Sequence, residues 1–262
     1  MTKLKLLDLF SGIGGFSLGL ERSGLCETVA FCEIEPFPRK VLAKHWPEVP
    51  IYEDVRKLTA ERLAADGIAV DVICGGFPCQ DISTAGKGAG LAGERSGLWS
   101  EIARLVGELR PRFVIVENVS ALLGRGLGDV LGDLSKIGYD AEWEVISASD
   151  VGAPHDRQRV WLVAHPATQR WERILYNWTW RGATARDEWP STTLDSQRGA
   201  LAWLESTITR ISPILRDDDG ISGRLAQQQL AALGNAVVPQ IPELLGRAIL
   251  RSMETYHDHP PS

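Results

Sequence analysis

Long apolar runs, clustered cysteines and an excess of positive charge are all missing from this chain. The apolar stretch at residues 4–10 is cut by Lys5 and Asp8, which rules out a signal-peptide core, and no segment reads as a membrane span. Only four cysteines occur, Cys26, Cys32, Cys74 and Cys79, without C-x-x-C spacing or a nearby histidine pattern. Neither a zinc site nor a disulfide framework is indicated, and a reducing, cytoplasmic setting follows. A net charge of -6 argues against a protein that coats nucleic acid everywhere, while leaving room for a local basic groove. Internal repeats are absent too. What is there, 44% hydrophobic and 24% charged residues over 262 positions, suits a globular α/β domain with a full core.

Strand, glycine turn and helix open the chain: residues 3–10 read as a buried strand, Ser11 to Gly15 as the turn, and Phe16, Leu18 and Leu20 as the start of a helix. A second strand at 27–32 ends in Glu33, and Pro36 starts a helix to about Trp46. A short segment at 51–55 carries Asp54, and helical character at 58–65 precedes a strand at 70–74. Gly75-Gly76-Phe77-Pro78-Cys79-Gln80 then reads as a strand end delivering a thiol into a turn. The five glycines of 81–97 predict a mobile loop. Beyond it lie an amphipathic helix at 98–109, a strand at 112–116 ending in Glu117-Asn118-Val119, a glycine-punctuated helix to about Ile137, and strands at 139–147 and 159–164. This alternation predicts a mostly parallel sheet covered on both faces, with an antiparallel pair at one edge where no helix intervenes.

Composition changes at Pro166. Periodicity is poor from there to Arg216, and the stretch holds five of the nine tryptophans and more arginines than acids, which reads as a small appended lobe. Helical patterning returns at 224–233 and 239–256, around Gly234-Asn235-Ala236-Val237-Val238. The expected organisation is a main domain at 1–165, an appended region at 166–221, helices at 222–256 that return to the main domain, and a frayed tail at 257–262.

Four strand ends carry chemistry: the Gly12 to Gly15 turn, Glu33, Cys79 and Glu117. In an open α/β sheet they converge, because ligands lie outside the carboxyl ends of the strands. The turn departs from the dinucleotide pattern, since Ser17 stands where a third glycine belongs. Glu33, about twenty residues beyond the turn, is where an acid takes ribose hydroxyls, which points to an adenosine-containing cofactor. Asp54 reads either as an acceptor for an adenine amino group or as a helix cap. Cys79 is either an idle buried thiol or a nucleophile whose titration, ordinarily near ~8.5, is lowered by its surroundings. Glu117 serves as an acid if burial raises its pKa, and the alternative for Glu117-Asn118 is helix capping. Arg157 and Arg159 alternate into a strand and so share a face, which makes them a solvated edge or a binder of phosphate or carbonyl oxygen.

"LDLFSGIGGFSLGLE", "FCEIEPF", "GGFPCQDIS", "ENV", "RQRVWLVA" and "GNAVVPQI" follow one another as in the DNA (cytosine-5) methyltransferases, and the chain resembles that family over about residues 5–165 and 224–250. The resemblance implies a Rossmann-like methyltransferase fold with a seven-stranded sheet, S-adenosylmethionine as cofactor, S-adenosylhomocysteine as product, and no metal. By the same resemblance Phe10 packs on the adenine, Gly12, Ile13, Gly14 and Gly15 pass the methionine part, Glu33 holds the ribose and Asp54 the adenine amino group. Pro78 lines that pocket and Asn235 closes over it. Cys79 is the implied nucleophile at C6 of cytosine, with Glu117 at N3 and the exocyclic amine, Arg159 at O2, and Arg157 supporting it or a phosphate.

The implied partner is double-stranded DNA with the target base flipped out. Residues 81–97 would bring Lys87 and Arg95 toward phosphates, and the region at 166–221 would choose the sequence. A monomer in the cytoplasm of a prokaryotic cell or its virus is expected, and a cognate restriction endonuclease stays open. Two departures from the family pattern stand out: His155 replaces the usual glutamine before the arginines, and the recognition region is short. A tRNA cytosine-5 methyltransferase of the same fold is the near rival, because only the substrate differs. A non-catalytic DNA-binding module and a nicotinamide dehydrogenase are the distant ones.

Overall fold

The computed structural model describes residues 2–78, 98–153, 156–169, 174–175, 232 and 236–258. Its sheet comprises β1 (Leu4–Leu9), β2 (Cys26–Cys32), β3 (Ile51–Tyr52), β4 (Val72–Gly75), β5 (Phe113–Val119), β6 (Tyr139–Ser147) and β7 (Gln158–Pro166). The strand order is β3-β2-β1-β4-β5-β7-β6. Strands β1 to β5 pair in parallel, and β7 runs antiparallel to both β5 and β6. The chain winds outward from β1 through β2 to β3, then restarts at β4 on the other side of β1. The β1/β4 junction is therefore the topological switch point, where an open α/β sheet leaves a crevice.

Period-2 alternation in β1 fixes the two cores. Leu7 and Leu9 join one cluster with Ile102 and Leu105 of α4 (Trp99–Leu109) and Val130 and Leu134 of α6 (Leu127–Lys136). Leu4 and Leu6 join the other, with Phe16 and Leu20 of α1 (Gly15–Arg22) and the C-terminal helix α7 (Gln240–Asp258). In α7, Ile241, Leu245, Ile249 and Met253 recur every fourth residue and are all buried, each worth about 1.5–3 kcal/mol of apolar burial. Further helices among the described residues are α2 (Pro36–His45), α3 (Ala60–Ala65) and α5 (Leu122–Arg125).

The expected α/β architecture and antiparallel edge are both present, with three local differences. The helix expected to reach Ile137 is split at Gly126, whose extended backbone separates α5 from α6. Strand β5 continues through Glu117, Asn118 and Val119 because β7 supplies a partner for each of them. Helix α7 runs to Asp258, two residues into the stretch expected to fray. Cys79, Lys87, Arg95, His155, Asn235, the loop at 81–97, all but residue 232 of the helix at 224–233 and most of 166–221 lie outside the described residues.

Close approach of α1 to the chain entering α7 depends on Gly19. A Cβ there would sit 2.2 Å from the Pro239 carbonyl oxygen and 2.7 Å from Pro242 Cγ. Gly19→Ala is expected to cost about 1–3 kcal/mol in urea denaturation through this overpacking. Gly132→Ala, in the interior of α6 with no described residue within 4 Å of the added carbon, is expected instead to stabilise by about 0.5–1 kcal/mol.

Candidate active site

The carboxyl ends of β2, β1, β4 and β5 lie side by side, and each delivers one element of the site. After β1 the chain turns at once: Phe10 and Gly12 adopt left-handed φ of 53° and 52°, and Gly14 follows at 86°. A left-handed phenylalanine is strained, and such strain collects at functional turns. Gly14 is the N-cap of α1, and a Cβ on it would fall 2.7 Å from the Trp46 ring, which is held by a hydrogen bond from its Nε1 to Glu21. By contrast, no described residue lies within 4 Å of a Cβ built on Gly12, so the outer side of the turn is open among the described residues. Ile13 is half-buried, and the Val237 carbonyl oxygen covers Gly15. The segment just after Asn235 is thereby brought onto the turn.

Glu33, immediately after β2, is buried. Its Oε2 accepts the Gly12 N–H at 2.7 Å and its Oε1 accepts the Glu35 N–H at 2.8 Å, so the acid ties β2 to the turn. Burial raises its pKa above the ordinary carboxyl range, and these two bonds oppose the rise. Asp54 takes the capping reading: it accepts the Arg56 N–H at the start of a short 3-10 turn, and its two oxygens accept Arg56 Nε and Nη2, both at 2.9 Å.

At the other side of the crevice, antiparallel register sets Glu117 opposite Trp161 and Val119 opposite Arg159, so Glu117 and Arg159 are diagonal neighbours on one face. Arg159 Nε meets Glu117 Oε1 at 2.9 Å, with the two side chains only 23% and 12% exposed. Burial pushes the Glu117 pKa up, against the pull of Arg159 and then Arg157. Arg157 is positioned through its backbone, because the Ala148 N–H donates to its carbonyl at 3.1 Å. The Ser147 hydroxyl in turn donates to the Asp156 carboxylate next to it.

Two residues join the strand end that leads to Cys79 to the strand that carries Glu117. Asn118 is buried and donates from Nδ2 to the Phe77 carbonyl at 3.1 Å, while its Oδ1 accepts the Val119 N–H. Its work is therefore a tertiary clamp and not the helix capping that its sequence context also allows. Gly76 makes room for the acid, since a Cβ there would fall 2.9 Å from Glu117 Oε2. Half-buried Pro78 ends this described segment. The sequence signals for both were present, an asparagine after an acid at a strand end and a paired glycine, but neither shows which atom it would meet. The other three cysteines are buried, and burial raises the thiol pKa of each, to about 12 at Cys32, so none of them is a competing nucleophile.

The Glu117–Arg159 pair gives a direct test. Arg159→Met removes the nearer cation, so the Glu117 carboxyl is expected to titrate higher than in the parent protein when followed by carbon-13 NMR. A lower or unchanged value would contradict the pairing.

The chain matches the model of the C-5 cytosine-specific DNA methylase family over residues 4–215. It is 36% identical over 169 residues to the Type II methyltransferase M2.BsuMI of Bacillus subtilis, an alignment covering 62% of this chain and 42% of that protein. It is 32% identical over 209 residues to M.CviJI of Paramecium bursaria Chlorella virus IL3A, covering 79% and 54%. The chain thus spans about half or less of the length of these relatives. A crystal structure of a prophage-encoded E. coli protein described as a DNA modification methyltransferase superposes with a TM-score of 0.55 at 29% identity, over 65% of this chain and 49% of that one. Dnmt2 of Spodoptera frugiperda shares the fold with a TM-score of 0.54 at 24% identity, over 64% of this chain and 52% of that one. Because the family match runs through all seven strands, the chain belongs to the C-5 cytosine-specific DNA methylase family.

Proposed function

We propose that this protein transfers a methyl group from S-adenosylmethionine to C5 of a flipped-out cytosine in a specific sequence of double-stranded DNA. The observation that carries this reading is the half-buried Glu117–Arg159 pair, clamped through Asn118 to the segment that leads into Cys79. The cofactor side fits as well. The open, left-handed turn at Gly12, with Glu33 bonded beside it at the β1/β4 switch point, suits an adenosine carrying an amino-acid tail. Phe10, Gly12, Ile13, Gly14, Gly15, Glu33, Pro78 and Asn235 would hold it. Asp54 would reach an adenine amino group only by sharing an oxygen with Arg56.

C5 of cytosine is a poor nucleophile, which decides the order of events. The Cys79 thiolate adds to C6, forming a C–S bond and pushing the ring electrons toward C5 and N3. Glu117, its proton affinity raised by burial, donates a hydrogen bond at N3 as negative charge builds there, and Arg159 faces O2. Bound S-adenosylmethionine supplies the electrophilic methyl group for C5. The C5 proton then leaves to a base or water, the C–S bond breaks, and Cys79 is expelled as thiolate. A stacked base is out of reach of these side chains, so it is flipped out at a cost of a few kcal/mol.

Residues 1–165 would carry this chemistry, 166–221 would read the DNA, and 222–256 would return to close the cofactor site. The protein would act as a monomer in the cytoplasm, and a companion endonuclease fits its Type II relatives.

Expression in a host lacking cytosine methylation, followed by bisulfite sequencing, is expected to show protected cytosines in one sequence context. Unmodified DNA, or label transfer to tRNA alone, would overturn the DNA reading. Cys79→Ser is expected to abolish transfer while keeping cofactor binding. Glu117→Gln is expected to lower kcat by about 10²–10⁴ with little change in cofactor affinity.

A further inference from the structure

Beneath the glycine turn lies a carboxylate that the proposed reaction does not use. Asp8, on β1, is fully buried. Its Oδ2 accepts the Ser17 hydroxyl at 2.7 Å, while Oδ1 has no hydrogen-bond partner among the described residues. The Ser17 amide and the Cys74 thiol also favour its charged form. Ser17 is the third residue of α1, whose N-cap Gly14 has no side chain to offer. Asp8 thus does from a neighbouring strand what a capping side chain does for a helix start. The same first turn of α1 is continuous with Gly12 to Gly15, and Glu33 holds that turn from its other side.

Among the described residues no cation balances this acid. Strand β4 presents Cys74, β2 presents Cys32 and leads into Glu33, and α1 presents Ser17. Glu21 of α1 is engaged by Thr28 and Trp46, and on α7 Glu243 pairs with Arg247. Burial accordingly lifts the Asp8 pKa to about 7, with Glu33 adding to the rise.

We propose that Asp8 is a positioning residue for the cofactor turn, acting through Ser17: its ionised carboxylate holds the first turn of α1 in the form that binds cofactor, and its protonated form lets go. The inference rests on the S-adenosylmethionine reading of the site. It has a two-sided pH signature. A carboxyl whose folded-state pKa is raised contributes stability that is fully present below its unfolded value, near 4, and is lost as pH rises through about 7. Cofactor affinity runs the other way, rising through the same window and levelling above it, because the ionised form is the binding form and the ligand carries a sulfonium charge.

The test is calorimetric binding of S-adenosylmethionine from pH 5.5 to 8.5 to the parent protein, Asp8→Asn and Ser17→Ala, with circular dichroism to confirm folding. The parent is expected to gain up to about tenfold in affinity per pH unit below 7 and to release a proton on binding. Asp8→Asn, which cannot ionise, is expected to bind at every pH as weakly as the parent does at pH 5.5, with no slope, and Ser17→Ala, which removes the hydroxyl the carboxylate holds, is expected to bind more weakly with the slope flattened. A folded Asp8→Asn protein with the parental slope would overturn the proposal. Carbon-13 NMR of the Asp8 carboxyl in the free parent needs no variant, and titration near 4 would overturn it too. A parent that binds no S-adenosylmethionine at any pH, with Asp8 still titrating near 7, would instead defeat the cofactor reading and the turn's role with it.

Discussion

Parallel pairing of β1 with both β2 and β4 is the constraint from which the site follows. Because neighbouring parallel strands end on the same edge, the glycine turn, Glu33, the segment leading to Cys79 and Glu117 are delivered together without any of them needing to be near another in sequence. The helices then act as rivets. Gly19 lets α1 sit against the chain at Pro239, and this contact brings the segment after Asn235 over the turn.

Two buried acids, Asp8 and Glu33, and the half-buried Glu117 line this edge, and each is compensated differently. Among the described residues, Glu117 has a guanidinium at 2.9 Å, Glu33 has two backbone N–H donors, and Asp8 has a hydroxyl and no cation. Burial raises the pKa of all three, so the differences lie in what opposes it. Glu117 sits between proton donor and ion-pair partner, as suits an acid that must stabilise transient charge. Glu33 is a strut for the turn as well as a candidate ligand for ribose, because its backbone bonds leave further lone pairs on the same oxygens.

Much of this was legible in the sequence, for reasons that differ by element. β6 spans the expected residues 139–147, and the glycine turn announced itself because only glycine readily takes such φ values. Local patterning ends the strand at Val116, because the pairing that carries β5 on through Glu117 comes from β7, distant in the chain and invisible to local patterning. Asp8 figured only as an interruption of an apolar run, and Ser17 only as a break in the glycine pattern. In three dimensions the two interruptions are one hydrogen bond, which no periodicity encodes. Helix capping stays open for Asn118 in the sequence because its partner, the Phe77 carbonyl, lies across the sheet.

The most direct measurement mixes the protein with S-adenosylmethionine and duplex DNA in which the target cytosine carries fluorine at C5. Fluorine takes the place of the C5 proton and cannot leave as one, so the Cys79–C6 bond should persist and a covalent protein–DNA complex should survive denaturing electrophoresis, in the parent protein and not in Cys79→Ser. Methyl transfer to ordinary DNA without any trapped complex would contradict the account.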